Sequence, residues 1–190
     1  MGLTKQPVCA LVEPMKIVPA TLADAAQIAA IYGHYVEHGI ASFETEPPDI
    51  AEMTARMGKV LDAGSPWLVA LARSAKDERI IVGYAYASQF RDRPAYRFAC
   101  ENSIYIRDDS RGGGIGRELL SALIAAATDC DFRQMIAVIG GAGAASAALH
   151  ARAGFVRAGQ MRSIGRKHGQ WLDTLYMQLA LGEGDHTAPD

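Results

Sequence analysis

The sequence predicts a single mixed α/β domain, and three observations carry that reading. Apolar residues switch between helical and strand spacing in the order β-α-α-β-β-β-α-β-α-β-β. The chain has 190 residues, 49% of them hydrophobic and 21% charged, which suits one sizeable core and not a disordered chain. Between residues 15 and 182 there is no internal repeat and no linker. Residues 1–14 read as a flexible N-terminal arm, and residues 183–190 as a disordered tail.

Each element has a local cause. "MKIVPA" reads as a short strand. Thr21 and Asp24 offer capping groups, and Ile28, Ile31, Tyr32, Tyr35 and Val36 then recur at helical spacing until Gly39. Two prolines make "ASFETEPPD" a loop. Residues 50–62 form the second predicted helix. "PWLVALA" and "IIVGYAYASQF" are strands joined by the charged turn "RSAKDER". The basic connection "RDRPAYRF" leads to the strand "ACENSIYI". A glycine cluster and a helix over about 114–128 follow, then the short buried strand "MIAVIG". "GAGAASAALHARAGF" gives more glycines and a helix ending at Gly154. "VRAGQMRSIG" and "WLDTLYMQLAL" are the last strands, joined by the loop "RKHGQ".

Composition excludes several classes of function. A formal net charge of −2 gives no overall field for nucleic acid or an anionic membrane, so an anionic ligand must be held by local donors. Cys9, Cys100 and Cys130 are odd in number and lack metal-ligand spacing, which points to reduced thiols in a cytoplasm and no metal. The early apolar run "VCALV" is too short for a signal peptide, and Gln6 stands where a myristoylation signal needs Ser or Thr. No apolar run is long enough to span a bilayer.

The segment "SRGGGIGREL" asks for explanation, because glycine is costly in regular structure. Between a strand and a helix, glycines let backbone N–H groups face outward, and the helix N-terminus adds donors and partial positive charge. Phosphate binds such a place, although a plain tight turn would need the same residues. Arg117 and Glu118 follow Gly116, where a P-loop needs Lys and then Ser or Thr. A dinucleotide fingerprint begun at Gly112 fails at Arg117. The second cluster, from Gly141 to Ser146, has no acid between Asp131 and Asp173 to hold a ribose.

The pattern Arg111-x-x-Gly114-x-Gly116 after "SIYI" resembles the pyrophosphate loop of the GCN5-related N-acetyltransferase (GNAT) superfamily. "LHARAGF" resembles its second landmark, a helix ending in Gly-Phe before the penultimate strand. "ASFETEP", "PWLVA", "GYAYASQFRDRPAYRFACENSIYI", "AVIG" and "GRKHGQWLD" are similar to the phosphinothricin N-acetyltransferase family and its relatives acting on methionine sulfone and sulfoximine, across about residues 15–181. The resemblance implies a single-domain GNAT fold with a mixed, mostly antiparallel sheet flanked by helices. It implies direct acetyl transfer from acetyl-CoA to a small amino acid, and a homodimer.

Strand parity puts Glu101, Ser103 and Tyr105 on one face and Asn102, Ile104 and Ile106 on the other. Glu101 matches the family's general base; alone, it reads equally as a strand-end carboxylate paired with a nearby arginine. His150 matches a residue that protonates the thiolate or holds the intermediate, and otherwise reads as a helix histidine bonded to backbone. The resemblance implies that Ile104, Tyr105 and Ile106 pair with the pantetheine arm. It also implies that Arg111, Gly112, Gly113, Gly114, Ile115, Gly116 and Arg117 hold the pyrophosphate. Gly143 stands where relatives carry an asparagine that touches the cofactor arm, and Ser146 is kept. Phe43, Arg91, Arg93, Tyr96, Arg97, Ser103 and Gly140 form the expected amino-acid pocket, and "RKHG" its closing loop. An arginine fork suits a carboxylate or phosphinate; a surface set of ion pairs is the plainer reading of the three arginines. A peptide acetyltransferase and a catalytically weak acyl-CoA-binding module remain as alternatives.

Overall fold

The computed structural model describes residues 15–73 and 79–188. The expected arm at 1–14, the middle of the charged turn and residues 189–190 lie outside the described residues. The elements are β1 (Lys16–Pro19), α1 (Ala25–His38), α2 (Ile50–Asp62), β2 (Trp67–Arg73), β3 (Arg79–Gln89), β4 (Ala99–Ile106), α3 (Ile115–Asp129), β5 (Gln134–Gly140), α4 (Ala144–Arg152), β6 (Val156–Lys167) and β7 (Gln170–Ala180). Their order is the predicted one. They build a seven-stranded sheet in the order β1-β2-β3-β4-β5-β7-β6. Its pairs are antiparallel except β4 with β5, which α3 connects.

Helices cover both faces because the strands are apolar on both. Against α1 and α2 lie Val69, Ile81 and Tyr84, packed with Ile28, Val36 and Met57. Against α3 lie Ala85, Cys100 and Met135, packed with Leu119, Leu120 and Leu123. The first turn of α2 is capped by Asp49, whose carboxylate accepts the Glu52 N–H at 2.8 Å.

Two expectations about the end of the chain change. Arg166 and Lys167 belong to β6, where they pair with Trp171 and Gln170. The turn needs only His168 and Gly169, whose φ values of +47° and +79° suit a two-residue hairpin. "RKHG" is therefore half strand, and Lys167 points inward to give its ammonium to the Ser42 carbonyl at 2.8 Å. Of residues 183–190, read from sequence as a disordered tail, 183–185 lie in a turn and 186–187 in a bend, with Arg133 donating to the Thr187 hydroxyl at 3.2 Å.

The loop between α1 and α2 lies across the end of β5. A Cβ at Gly140 would stand 2.6 Å from the Ala41 carbonyl oxygen, so glycine is required there by contact. Gly140→Ala should cost about 1–3 kcal/mol, the usual range for overpacking. Gly143→Ala, with nothing within 4 Å of the new methyl, should stay within about 0.5 kcal/mol of the parent. Thermal or urea unfolding of the two variants checks the difference.

Candidate active site

The β4–β5 ladder is short. It runs from Ala99↔Gln134 to Asn102↔Ala137, while β4 continues to Ile106 and β5 to Gly140. The strands part beyond Asn102 and leave a cleft of about 100 Å³, lined by Asn102, Ile104, Val138, Gly140, Gly143 and His150. On its other edge β4 pairs with β3 without a register shift. The Phe90 N–H bonds the Ala99 carbonyl (2.9 Å) and the Arg107 N–H bonds the Val82 carbonyl (2.8 Å), so odd-numbered residues of β4 turn their backbone toward β3. The Tyr105 backbone thus faces β3, and the edge presented to the cleft belongs to Ile104 and Ile106. Ile106 is already engaged there: its carbonyl accepts from the Tyr35 hydroxyl at 2.7 Å, and its N–H donates to the same hydroxyl at 3.3 Å.

The unshifted register preserves the side-chain parity read from sequence. Tyr105 packs on the α1/α2 face, edge-on to Tyr32 and Tyr35 at 5.1 Å each, while Ile104 and Ile106 pack on the α3 face. Glu101 and Ser103 share the face of Tyr105. Glu101 is half-buried, and burial raises its carboxyl above the ordinary 4.5, with the Arg91 charge pulling it partly back. A carboxylate shifted this way is a better proton acceptor near neutral pH.

The glycine loop lies at the start of α3. Gly112 and Gly114 have φ values of +84° and +86°, conformations that favour glycine. At Gly113 neither backbone nor contact demands glycine: its φ is not positive, and a Cβ there would meet nothing within 4 Å. The N–H groups of Arg117 and Glu118 both return to the Gly114 carbonyl, so those of Ile115 and Gly116 precede the first helical acceptor. The Ile115 side chain is core, and that of Arg117 is exposed. Arg111 is held beside the loop by Asp108 at 3.0 Å and lies over the Tyr35 ring, 5.0 Å from its centre.

His150 is 2% exposed and packs edge-on to Phe155 at 4.9 Å. Its Nδ1 lies 2.8 Å from the Ser146 carbonyl, and its Nε2 lies 2.9 Å from the Asn102 amide nitrogen. Burial lowers its pKa below the ordinary 6.5, and the Ser146 carbonyl opposes this only in part. The neutral ring donates from Nδ1 to the carbonyl and accepts at Nε2 from Asn102. Both nitrogens are engaged within the protein.

The expected amino-acid residues do not share one cavity: Ser103 and Gly140 line the β4–β5 cleft, and Phe43, Arg91, Arg93, Tyr96 and Arg97 are outside its lining. Arg91, Arg93, Tyr96 and Arg97 are all exposed. Arg91 lies over the Phe90 ring at 4.2 Å, and Arg97 over the Phe98 ring at 4.3 Å. Arg97 also joins Met53, Trp67 and Tyr86 around a cavity of about 580 Å³ beneath α2. The carbonyl of Arg93 accepts from Gln89 at 3.4 Å. Phe43 rests on β6, where a Cβ at Gly165 would stand 2.5 Å from its ring. The sequence does not announce Asn102 or Tyr35 as site residues, and it shows Lys167 only as part of the "RKHG" loop. The apolar helical stripe conceals Tyr35, the face opposite Glu101 conceals Asn102, and the apparent loop conceals Lys167. Among the described residues, no group of three His, Cys, Asp or Glu side chains could hold a metal ion, and no helix is long and apolar enough to cross a membrane.

Residues 17–176 match the acetyltransferase (GNAT) domain family. The chain is 51% identical over 168 residues to the phosphinothricin N-acetyltransferase of Alcaligenes faecalis, covering 88% of this chain and 83% of that protein. It is 39% identical over 162 residues to the L-methionine sulfoximine/L-methionine sulfone acetyltransferase of Pseudomonas paraeruginosa, covering 85% and 92%. The crystal structure of a GNAT superfamily phosphinothricin acetyltransferase from Sinorhizobium meliloti in complex with AcCoA superposes with a TM-score of 0.88 at 47% identity, covering 93% of each chain.

Two outcomes are expected. Gly113→Ala adds a methyl group to open space, so the melting temperature should hold while CoA affinity measured by calorimetry falls. Unchanged affinity would return the glycines to a turn-forming role. His150 titrates lower in the folded chain than in the unfolded one, so as pH falls below about 6.5 the unfolded chain takes up the proton first. The stability contributed by the neutral ring is full above that pH and lost below it. In urea unfolding, His150→Gln should be less stable than the parent at pH 7.5, and the gap should narrow on acidification.

Proposed function

Because the chain belongs to the GNAT acetyltransferase family, we propose that it transfers the acetyl group of acetyl-CoA to the α-amino group of a small amino acid or analogue, of the phosphinothricin, methionine sulfone or methionine sulfoximine type. One observation carries the reading: a half-buried carboxylate, Glu101, next to the point where the sheet opens, with an open glycine cradle at the start of α3. The residues present fit the donor. Open space over Gly113 and the leading amides of α3 suit its pyrophosphate, and the free edge of Ile104 suits an amide-bearing arm.

In this reading Glu101 takes the proton from the substrate ammonium, directly or through water, and leaves a neutral amine to attack the thioester carbonyl. As the tetrahedral intermediate collapses the C–S bond breaks, the amide nitrogen gives up its extra proton, and the departing CoA thiolate takes up a proton to leave as free thiol. Transfer is direct, in a ternary complex. Cys100 is fully buried and its thiol is pushed up to about 12, which suits core packing rather than a covalent acyl carrier. Phe43 forms the aromatic wall of the amino-acid pocket, with Arg91, Arg93, Tyr96, Arg97, Ser103 and Gly140 around the substrate. An arginine fork binds its carboxylate or phosphinate. A homodimer fits this arrangement. Met161, Ile164 and Trp171, exposed by 48%, 55% and 64%, lie on the β6–β7 hairpin near the Phe43 contact. The thiols of Cys100 and Cys130, both free, suit a cytoplasmic setting.

The test is release of free thiol from acetyl-CoA against a panel of amino acids, their analogues and N-terminal peptides. The reading expects turnover with the first two groups; turnover confined to peptides, or none, would overturn it. Glu101→Gln should lower kcat roughly 10²–10⁴-fold with little change in the KM for acetyl-CoA. Arg91→Ala removes the charge that lowers the Glu101 pKa, so the acid limb of the kcat profile should move to higher pH.

A further inference from the structure

We propose that the Asn102 side-chain amide binds the arm of the acetyl donor, its Oδ1 accepting a hydrogen bond from a secondary-amide N–H, and that His150 is the positioning residue that aims it. The proposal rests on the acetyl-CoA reading above.

The argument starts at the Ser146 carbonyl. An imidazole nitrogen 2.8 Å from a carbonyl oxygen must carry a hydrogen, so Nδ1 of His150 is the protonated nitrogen. Burial keeps the ring neutral, which leaves a lone pair at Nε2. The Asn102 group 2.9 Å away must then present its NH₂ to that lone pair. The Phe155 ring, edge-on at 4.9 Å, backs the imidazole. With NH₂ committed, Oδ1 is turned away from His150, and it has no hydrogen-bond partner among the described residues. Asn102 is 5% exposed, so bulk water does not supply one freely.

The position of this acceptor selects its ligand. Asn102 is the last residue of β4 paired with β5, and it lines the cleft together with Ile104, Gly143 and His150. It lies on the face opposite Glu101, so an ammonium held at Glu101 meets the donor only through the opening where β4 and β5 part. The thioester offers only acceptors: its carbonyl oxygen and its sulfur. The donors nearest the thioester on the arm behind it are two secondary amides; the arm's hydroxyl lies beyond them, farther from the sulfur. An oriented, unpartnered amide oxygen on a residue lining the cleft is complementary to such an N–H and to neither end of the thioester.

Calorimetry with two probes tests this. Acetyl-CoA carries the arm; adenosine 3′,5′-diphosphate is the nucleotide end without it. Asn102→Leu, close in volume, should weaken acetyl-CoA about 5- to 30-fold, the effect of losing one buried hydrogen bond, and leave the nucleotide unchanged. Unchanged acetyl-CoA affinity, or equal weakening of both probes, would overturn the proposal. If the parent protein binds neither probe, the acetyl-CoA reading itself falls. Should the variant fail to fold, ¹⁵N spectra of the parent decide. The proposal requires His150 protonated at Nδ1 and a shift of the Asn102 side-chain amide on adding acetyl-CoA but not the nucleotide. A ring protonated at Nε2, or an unmoved amide, would overturn it.

Discussion

The structure depends on a parallel pairing that stops early. Four residues of β4 align with four of β5, and beyond Asn102 and Ala137 the ladder ends while both strands continue. A sheet that separates exposes backbone hydrogen-bonding groups, which is costly unless something meets them. On the β4 side the Tyr35 hydroxyl meets both groups of Ile106, so a side chain from α1 does part of what a neighbouring strand would do. On the β5 side the loop from α1 lies against Gly140 and Gly141 so closely that no side chain fits. The opening is thus held by contacts on both flanks.

The loop that forms one flank is itself anchored. The Tyr32 hydroxyl lies 2.8 Å from both the Ser42 hydroxyl and the Glu44 Oε1, and Arg56 of α2 donates to both oxygens of that carboxylate, at 2.8 Å to Oε1 and 3.2 Å to Oε2. Lys167 reaches the Ser42 carbonyl from the end of β6. Residues distant in sequence therefore converge on two positions of one loop, Ser42 and Glu44, on either side of Phe43. The segment is polar and proline-rich, yet the network gives it a defined path over the sheet.

Much of this was legible in the sequence because it rests on local rules. Alternation along "ACENSIYI" gave the correct facing of Glu101 and Asn102, since no bulge disturbs the register with β3. Glycines at 112 and 114 follow from positive φ, a purely local demand. What was hidden depends on partners distant in the chain. Asn102 and His150 are 48 residues apart, and nothing near either one announces the hydrogen bond between them. The backbone of Tyr105 turns away from the cleft because of ladder phase, which side-chain patterning does not report. Arg166 and Lys167 read as loop because they are charged and flank a glycine. In the structure a two-residue turn lets the strand run on to Lys167, whose head group is buried by a contact 125 residues away in sequence.

Placing Glu101 and Asn102 on opposite surfaces of one strand has an evolutionary consequence. Adjacent positions in the gene face separate environments, one bordered by α1 and α2, the other by α3 and α4. Tyr86 packs in the α1/α2 cluster and Ile115 in the α3 cluster, so substitutions around these two should combine nearly independently, whereas Ser103 lines the same cleft as Ser146 and His150. A lineage can therefore revise what it acts on without relearning how it holds its donor. The strand between the two surfaces insulates one trait from the other, and that insulation suits a fold reused for many acceptors.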